Sequence, residues 1–273
     1  MAGDLDSLPP LRDVISAHDL RAEKKLGQNF LLDQNITDKI ARQAGDLSGK
    51  TVIEIGPGPG GLTRSLLRAG AGKVIAVEFD PRAVAALQDL REAAAGRLEV
   101  VQADALETDL TGLCEGPRVI VANLPYNIAT PLLVGWLKQL RADGLAYEQM
   151  ILMFQKEVGQ RITAGVGSKA YGRLSVISQW ICEVKSLFDL PPSAFTPPPK
   201  VKSSVVRFVP RILPGDAPDF EAVEAVTAAA FGQRRKMIRT SLKDYAAQIE
   251  ALGLDPQSRA ENLAPEDYIK LAI

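Results

Sequence analysis

The sequence has few of the residues on which metal sites and acid–base catalysis usually depend. Its 273 residues include one histidine, His18, and two cysteines, Cys114 and Cys182, which lie far apart and show no metal-ligand spacing. No stretch approaches the roughly 18 apolar residues that a membrane helix requires, and the chain starts with neither a basic nor an apolar signal region. We therefore expect a cytoplasmic protein with no metal and no membrane contact.

The overall charge gives no sign of a nucleic-acid partner, but one segment does. The 32 basic and 33 acidic residues give a formal charge of −1. Residues 231–243, in contrast, hold five basic side chains and no acidic one: Arg234, Arg235, Lys236, Arg239 and Lys243. A run of this kind can contact phosphate groups, although a solvated helix face would have the same composition.

A strand, a glycine-rich turn and a helix follow one another after residue 50. Residues 51–55 predict a buried strand, the segment Gly56-Pro57-Gly58-Pro59-Gly60 follows at once, and leucines at 62, 66 and 67 indicate an amphipathic helix. Glycines in such a turn let a ligand approach the backbone N–H groups at the start of the helix. This order is typical of the first unit of a nucleotide-binding α/β domain.

Three further predicted strands, at 73–77, 98–101 and 119–122, each lead to a polar residue. These residues are Glu78, Asp104 and Asn123. Helical patterns separate the strands, which predicts a Rossmann-like α/β fold with a mostly parallel sheet. The carboxyl ends of parallel strands meet at one edge of the sheet, so we expect the glycine turn and these three side chains to surround one ligand.

Two cofactors fit the glycine turn. Gly56, Gly58 and Gly61 satisfy the dinucleotide pattern G-x-G-x-x-G, with Glu78 on the adenosine ribose. The G-x-G-x-G of S-adenosylmethionine (SAM) enzymes fits equally well. The prolines favour SAM because a diphosphate would need the N–H groups that proline lacks, and Asp104 could accept from the adenine amine.

The segment Asn123-Leu124-Pro125-Tyr126 follows the fourth strand. Its amide oxygen and backbone carbonyls could accept hydrogens from an exocyclic amine, and the tyrosine ring could stack on a heterocycle. An ordinary strand-ending turn would have the same residue types.

The later part of the chain predicts a catalytic domain followed by a small helical one. Strands are predicted at 150–154, 183–188 and 201–209, and helices at 131–140, 155–161 and 174–180. Residues 165–172 predict a mobile loop, residues 191–200 a rigid proline-rich loop without regular structure, and residues 1–20 a loosely held segment. No strand is predicted after residue 220. The predicted units are an N-terminal extension (1–21), a catalytic domain (22–213) and an all-α C-terminal domain (214–273).

Eight motifs in order resemble one known family, the bacterial small-subunit ribosomal RNA adenine dimethyltransferases of the kasugamycin-sensitivity type. They lie at 25–31, 54–60, 102–106, 123–126, 155–158, 171–175, 195–201 and 231–236, and the resemblance runs from about residue 22 to the C-terminus. It implies a SAM-dependent enzyme that places two methyl groups on N6 of each of two adjacent adenosines. The implied substrate is the 3′-terminal hairpin of 16S rRNA in the immature 30S subunit, and we expect the protein to act as a monomer.

The predicted site residues fall into three groups. The catalytic and target-base group is Asn123, Leu124, Pro125, Tyr126 and Phe195. The cofactor group is Gln28, Asn29, Leu31, Gly56, Gly58, Gly60, Glu78, Asp104, Ala105 and Asn123. The RNA-binding group is Lys156, Arg161, Lys200, Arg234, Arg235, Lys236 and Arg239.

Three alternatives stay open on the sequence. A large-subunit rRNA adenine methyltransferase of the macrolide-resistance type shares the tetrapeptide, but the proline-rich loop and the Gln-Arg-Arg-Lys run favour the small-subunit family. A nicotinamide dehydrogenase is disfavoured by the prolines of the turn. A non-catalytic assembly factor that only binds SAM is disfavoured by the intact tetrapeptide.

Overall fold

The computed structural model of the protein describes residues 5–23 and 27–273. Lys25 and Leu26, the first two residues of the first motif, lie outside the described residues. The described chain contains a seven-stranded sheet in the order β4-β3-β2-β5-β6-β9-β7 and a two-stranded ribbon, β1-β8. The strands are β1 Phe30–Leu31, β2 Thr51–Ile55, β3 Lys73–Glu78, β4 Leu98–Gln102, β5 Arg118–Asn123, β6 Gln149–Gln155, β7 Cys182–Leu190, β8 Phe195–Thr196 and β9 Ser203–Pro210.

The sheet is mostly parallel, as predicted. Strands β4, β3, β2, β5 and β6 run in one direction, β9 is antiparallel to β6, and β7 is antiparallel to β9. The chain order reverses between β2 and β5, since β3 and β4 lie on one side of β2 and β5 and β6 on the other. Ligands of open α/β sheets bind outside the carboxyl ends of the strands at such a reversal.

Helices cover both faces of the sheet because its central strands are apolar on both sides. They are α1 Leu11–Ala17, α2 Gln34–Arg42, α3 Gly61–Arg68, α4 Pro81–Ala86, α5 Gln88–Ala93, α6 Ala129–Ala142, α7 Lys156–Ile162, α8 Arg173–Ile181, α9 Phe220–Gly232, α10 Ile238–Ser241, α11 Ala246–Ala251 and α12 Pro265–Leu271. Ile53 and Ile55 face the core beneath α6 and α8, whereas Val52 faces the core beneath α2 and α3. The helices predicted at 131–140, 155–161 and 174–180 are confirmed as α6, α7 and α8.

The expectation that residues 1–20 are loosely held is wrong for the part that the structure describes. Leu20 is fully buried in a cluster with Val14, Phe30 and Ala83. The Arg64 guanidinium of α3 donates to the Pro9 carbonyl at 2.8 Å. The polar composition of the segment gave no sign of these contacts, because a few buried aliphatic residues are enough to dock a short helix.

The proline-rich segment also contains regular structure that was not predicted. Phe195–Thr196 pairs antiparallel with Phe30–Leu31, so that Leu31 lies opposite Phe195. The pairing joins segments that lie far apart in the sequence, and no local pattern in either segment indicates it. It fastens the proline-rich segment to the N-terminal part of the chain.

The C-terminal helices are packed against the sheet domain. The predicted boundary falls in the irregular segment 211–219, and the described chain after it contains helices, connecting turns and one isolated bridge between Met237 and Arg259, with no strand. The Trp180 and Phe220 rings stack at 5.9 Å, and the Tyr171 hydroxyl donates to the Leu263 carbonyl at 3.0 Å. The predicted loop at 165–172 is therefore anchored at one end by a buried tyrosine. The division into separate domains remains a prediction.

Among the described residues, no helix is both long and apolar enough to cross a membrane.

Replacement of Leu20 by alanine tests whether the N-terminal segment is an integral part of the fold. We expect a loss of about 2 to 5 kcal/mol in the free energy of unfolding, because a fully buried leucine leaves a cavity. Leu145, which is 86% exposed, provides the matched control, and Leu145→Ala should change the value by less than about 0.5 kcal/mol. Urea denaturation measures both, and equal midpoints for the two variants would contradict the docked segment.

Candidate functional site

A pocket opens at the carboxyl edge of the sheet, where the strand order reverses. Its walls are the turn after β2, the ends of β3 and β4, the segment after β5, and residues 27–31. Most of the predicted catalytic and cofactor residues line it: Gln28, Asn29, Leu31, Gly56, Gly58, Glu78, Asp104, Ala105, Asn123, Leu124, Pro125 and Tyr126. Gly60 and Phe195 do not line it.

The glycine turn is shaped by packing as well as by ligand access. Gly58 has a φ of 55°, and a Cβ atom there would lie 2.8 Å from the Phe30 ring. Gly60 has a φ of 88° and directly precedes the first residue of α3. Only glycine adopts such backbone angles freely. Gly60 therefore allows the helix to start at the next residue. It does not line the pocket, so its predicted contact with the cofactor remains a prediction.

Glu78 is held in place by the turn that it faces. Its two carboxylate oxygens accept from the Gly58 N–H at 3.1 Å and from the Asp80 N–H at 2.8 Å. Burial raises the pKa of the Glu78 carboxyl, partly offset by these backbone hydrogen bonds. Each oxygen keeps a lone pair for a further donor, such as a ribose hydroxyl.

The titratable residues of the described pocket wall are all acidic, apart from the Tyr126 hydroxyl. The acids are Glu54, Glu78, Asp80 and Asp104, and no lysine or arginine is among the lining residues that the structure describes. Pro57 and Pro59 of the turn have no N–H to offer. A diphosphate would meet unfavourable charge here, whereas a cationic cofactor would be stabilised. No cluster of three or more potential metal ligands occurs within residues 5–23 and 27–273.

Glu54 is a lining residue that the sequence analysis did not assign. It is 2% exposed and accepts a hydrogen bond from the Thr63 hydroxyl at 2.6 Å. Burial raises the pKa of the Glu54 carboxyl to about 8, against the effect of Thr63 and together with the nearby Glu78. The sequence signal was an acid within an apolar strand directly before the glycine turn.

Two apolar side chains at the pocket mouth were also missed. Phe79 and Leu106 line the pocket and are 60% and 48% exposed. Phe79 directly follows Glu78 at the end of β3. Leu106 lies two residues after Asp104, beyond the end of β4. Large exposed apolar side chains beside a pocket are suited to cover a flat ligand.

The side-chain amide of Asn123 has a fixed orientation. Its nitrogen donates to the Asn29 carbonyl at 2.9 Å. The amide oxygen accepts no hydrogen bond from the described residues, and Asn123 lines the pocket. The contact also fastens the N-terminal segment, whose Asn29 amide donates in turn to the Gly27 carbonyl at 3.2 Å.

A network of side chains braces the N-terminal segment on the other side. The Gln28 amide donates to the Asp80 carboxylate at 3.2 Å, and Arg82 bridges Asp80 at 2.7 Å and Glu23 at 2.8 Å. The Arg82 bonds lower the pKa of the Asp80 carboxyl, whose burial acts in the opposite direction. Gln28 therefore lines the pocket with its amide already engaged.

Tyr126 presents its ring rather than its hydroxyl to the pocket. The hydroxyl hydrogen-bonds the Ser203 hydroxyl at 2.5 Å, on the first residue of β9. The ring is half-buried and lines the pocket. This geometry suits a stacking surface.

Phe195 lies apart from the pocket wall. It is 3% exposed and packs in the core with Leu31 and Leu190. A base could stack on it only if the ring turned out of the core, so the predicted stacking role remains a prediction. In this arrangement Phe195 packs in the same cluster as Leu31, which lines the pocket.

The predicted RNA-binding residues divide into paired and unpaired side chains. Lys156, Arg161 and Arg234 form ion pairs with Asp189, Glu157 and Glu261 at 2.5, 2.5 and 3.2 Å. Exposed pairs of this kind contribute little stability and can exchange for phosphate. The remaining predicted residues are exposed and have no ion pair among the described residues: Lys200, Arg235, Lys236 and Arg239.

Comparison with known proteins decides the family. The model of the ribosomal RNA adenine dimethylase family matches residues 19–273. The chain belongs to this family. The ribosomal RNA small subunit methyltransferases A of Rhodospirillum rubrum and Mesorhizobium japonicum are 56% and 54% identical, over 98% of this chain and 92% and 98% of theirs.

Two solved structures show the same architecture. A dimethyladenosine transferase from Plasmodium falciparum is 28% identical, with a TM-score of 0.75 over 88% of this chain and 94% of that one. The 23S rRNA methyltransferase ErmE is 27% identical, with a TM-score of 0.69 over 89% and 98%. The predictions of a Rossmann-like methyltransferase fold, of an rRNA adenine dimethylase and of SAM as methyl donor are confirmed.

The acidic wall of this dimethylase makes its stability depend on pH. In the folded protein Glu54 keeps its proton up to about pH 8, whereas in the unfolded chain it ionises near 4.5. The unfolded chain therefore binds fewer protons between these values, and stability falls as the pH rises through this window. Below it the two states are protonated alike.

Glu54→Gln keeps the acceptor for Thr63 but cannot ionise. Without cofactor, the Tm of the wild type should fall between pH 5 and pH 8 by several degrees more than that of Glu54→Gln. The exposed Glu92→Gln is the matched control and should follow the wild type. Parallel curves of Tm against pH for wild type and Glu54→Gln would contradict this assignment.

Proposed function

We propose that the protein transfers two methyl groups from SAM to N6 of each of two adjacent adenosines in the 3′-terminal hairpin of 16S rRNA. The free oxygen of the Asn123 amide carries this proposal. It is the acceptor that an exocyclic amine requires, and its orientation is set by the hydrogen bond from its nitrogen to Asn29.

Reactivity of the amine follows from how it is held. The N6 lone pair is delocalised into the ring, so the nitrogen is a weak nucleophile until it becomes tetrahedral. The Asn123 side-chain oxygen and the Leu124 backbone carbonyl accept the two amine hydrogens and direct the lone pair towards the pocket. Positioning then supplies most of the rate enhancement.

Proton release needs no side-chain base. As the nitrogen bonds to the methyl carbon, the carbon–sulfur bond would break and leave a neutral thioether. The nitrogen would then be cationic, and the proton that it loses would pass to water. His18, the one histidine of the chain, belongs to the N-terminal segment and is not among the lining residues.

The residues of the pocket wall fit SAM, which supplies an electrophilic methyl group on a cationic sulfur. Glu78 is proposed to accept from the ribose hydroxyls, and Asp104 from the adenine amine. Asp104 accepts from the Leu106 N–H through one oxygen at 2.9 Å, and its second oxygen has no donor among the described residues. Gln28, Asn29, Leu31, Gly56, Gly58 and Ala105 complete the proposed cofactor wall.

The names of the most similar relatives support RNA of the small subunit as the substrate. The proteins at 54–57% identity that are named for the small subunit lie far nearer than the 27% of the 23S rRNA methyltransferase. We further propose that the protein acts as a cytoplasmic monomer on the immature 30S subunit, where its C-terminal basic residues hold the RNA. A purely binding role would not require the fixed orientation of the Asn123 amide.

Labelled SAM and immature 30S subunits test the substrate directly. We expect label on two adjacent adenosines of 16S rRNA, as dimethyladenosine, when the modified bases are mapped. Tyr126→Ala should lower the rate roughly 10- to 100-fold through loss of base stacking and leave the SAM Kd within a few-fold. Label in 23S rRNA would refute the substrate assignment, and an unchanged rate would refute the stacking role.

The basic run should separate into a structural and an RNA-binding part. Arg234 donates to the Lys169 carbonyl at 2.7 Å and pairs with Glu261, so Arg234→Gln should lower the Tm. Arg235→Gln and Lys236→Gln should leave the Tm unchanged and weaken RNA binding.

Salt dependence is the readout that distinguishes the two effects. Each lost phosphate contact should reduce the slope of log affinity against log salt by roughly 0.7 to 0.9. If Arg235→Gln and Lys236→Gln keep the wild-type slope, the run is a solvated surface.

A further inference from the structure

The hydrogen bond between Tyr126 and Ser203 joins the proposed target-base segment after β5 to β9, two strands away in the sheet. The two residues are 77 positions apart, and their hydroxyl oxygens lie 2.5 Å from each other. Ser203 lies outside the eight sequence motifs and is not among the predicted site residues. Its hydroxyl is therefore a connection that only the fold reveals.

Ser203 is held rigidly from both sides. It is fully buried and is the first residue of β9, where it pairs with Gln155 of β6 and with Leu190 of β7. A residue between two strands cannot shift without breaking both ladders. Its hydroxyl is thus a fixed point at the carboxyl edge of the sheet.

Tyr126, in contrast, lies on a loop after β5 and is only half-buried. Pro125 restricts the backbone before it, and the bond to Ser203 restrains the far end of the ring. Burial raises the pKa of the Tyr126 hydroxyl, so the group keeps its proton and can donate. With both ends restrained, the long axis of the ring has a defined position before any base arrives.

We propose that Ser203 is a positioning residue for methyl transfer, which fixes the position of the Tyr126 ring on which the target adenine stacks. The inference rests on the proposed function. Ser203 touches neither base nor cofactor and acts through the ring. A ring free to swing about its Cα–Cβ bond would still stack, but it would hold the amine less often in line with the methyl group.

Two single variants remove the same hydrogen bond from opposite ends. Ser203→Ala and Tyr126→Phe should each lower kcat on immature 30S subunits about tenfold. The KM for the subunit and the SAM Kd should stay within twofold, because both depend on other contacts. The double variant should be no slower than either single variant, since only one interaction is lost.

Ser178→Ala is the matched control for a buried serine. Ser178 is fully buried in α8, and its hydroxyl has no hydrogen-bond partner among the described residues. Its kcat should equal that of the wild type. Measured Tm values show whether Ser203→Ala is folded, and Tyr126→Phe decides the question if it is not.

The outcomes separate this inference from the function on which it rests. Wild-type kcat values for folded Ser203→Ala and Tyr126→Phe would overturn the positioning role while methylation stands. A double variant slowed by the product of the two single effects would overturn it as well. A wild-type protein that methylates no adenine would overturn both proposals.

Discussion

The hydrogen bond from the Asn123 amide nitrogen to the Asn29 carbonyl connects the two halves of the site. It spans 94 residues of sequence and ties the N-terminal segment to the end of β5, so that the two proposed sides of the pocket, for cofactor and for target base, are joined. The same bond engages the amide nitrogen and leaves the amide oxygen without a donor among the described residues. On the proposed mechanism this oxygen accepts from the amine only when the N-terminal segment is docked, so the burial of Leu20 and the brace around Arg82 matter to the chemistry as well as to the fold.

Charge and backbone geometry together select the methyl donor. The described part of the wall has four acids and no lysine or arginine, which disfavours a diphosphate, and two prolines remove N–H groups that a diphosphate would use. The same acids are costly in the empty protein because burial raises the pKa of Glu54 and of Glu78. A bound cation would offset that cost, so the same feature of the wall that disfavours a diphosphate would favour a sulfonium.

The sheet and the strand-end residues could be predicted because both follow from local patterns. Alternating buried strands and helices gave the parallel order, and parallel order brings Glu78, Asp104 and Asn123 to one edge. Contacts between distant segments left no such pattern. The pairing of Leu31 with Phe195, which buries the ring expected to face the base, is one example. Arg234 is another example. The basic run around it predicted a contact with RNA phosphate, whereas its partners in the fold are backbone carbonyls and Glu261.

Two successive transfers to one nitrogen place different demands on the site. An unmethylated amine has two hydrogens, enough for both the Asn123 oxygen and the Leu124 carbonyl. After the first transfer one hydrogen remains, so one of these two acceptors loses its donor. On the proposed mechanism, the second transfer depends more heavily on the stacked ring to hold the base. The Ser203–Tyr126 bond, which restrains that ring from the interior of the sheet, is then most important at the step that distinguishes a dimethylase from a monomethylase.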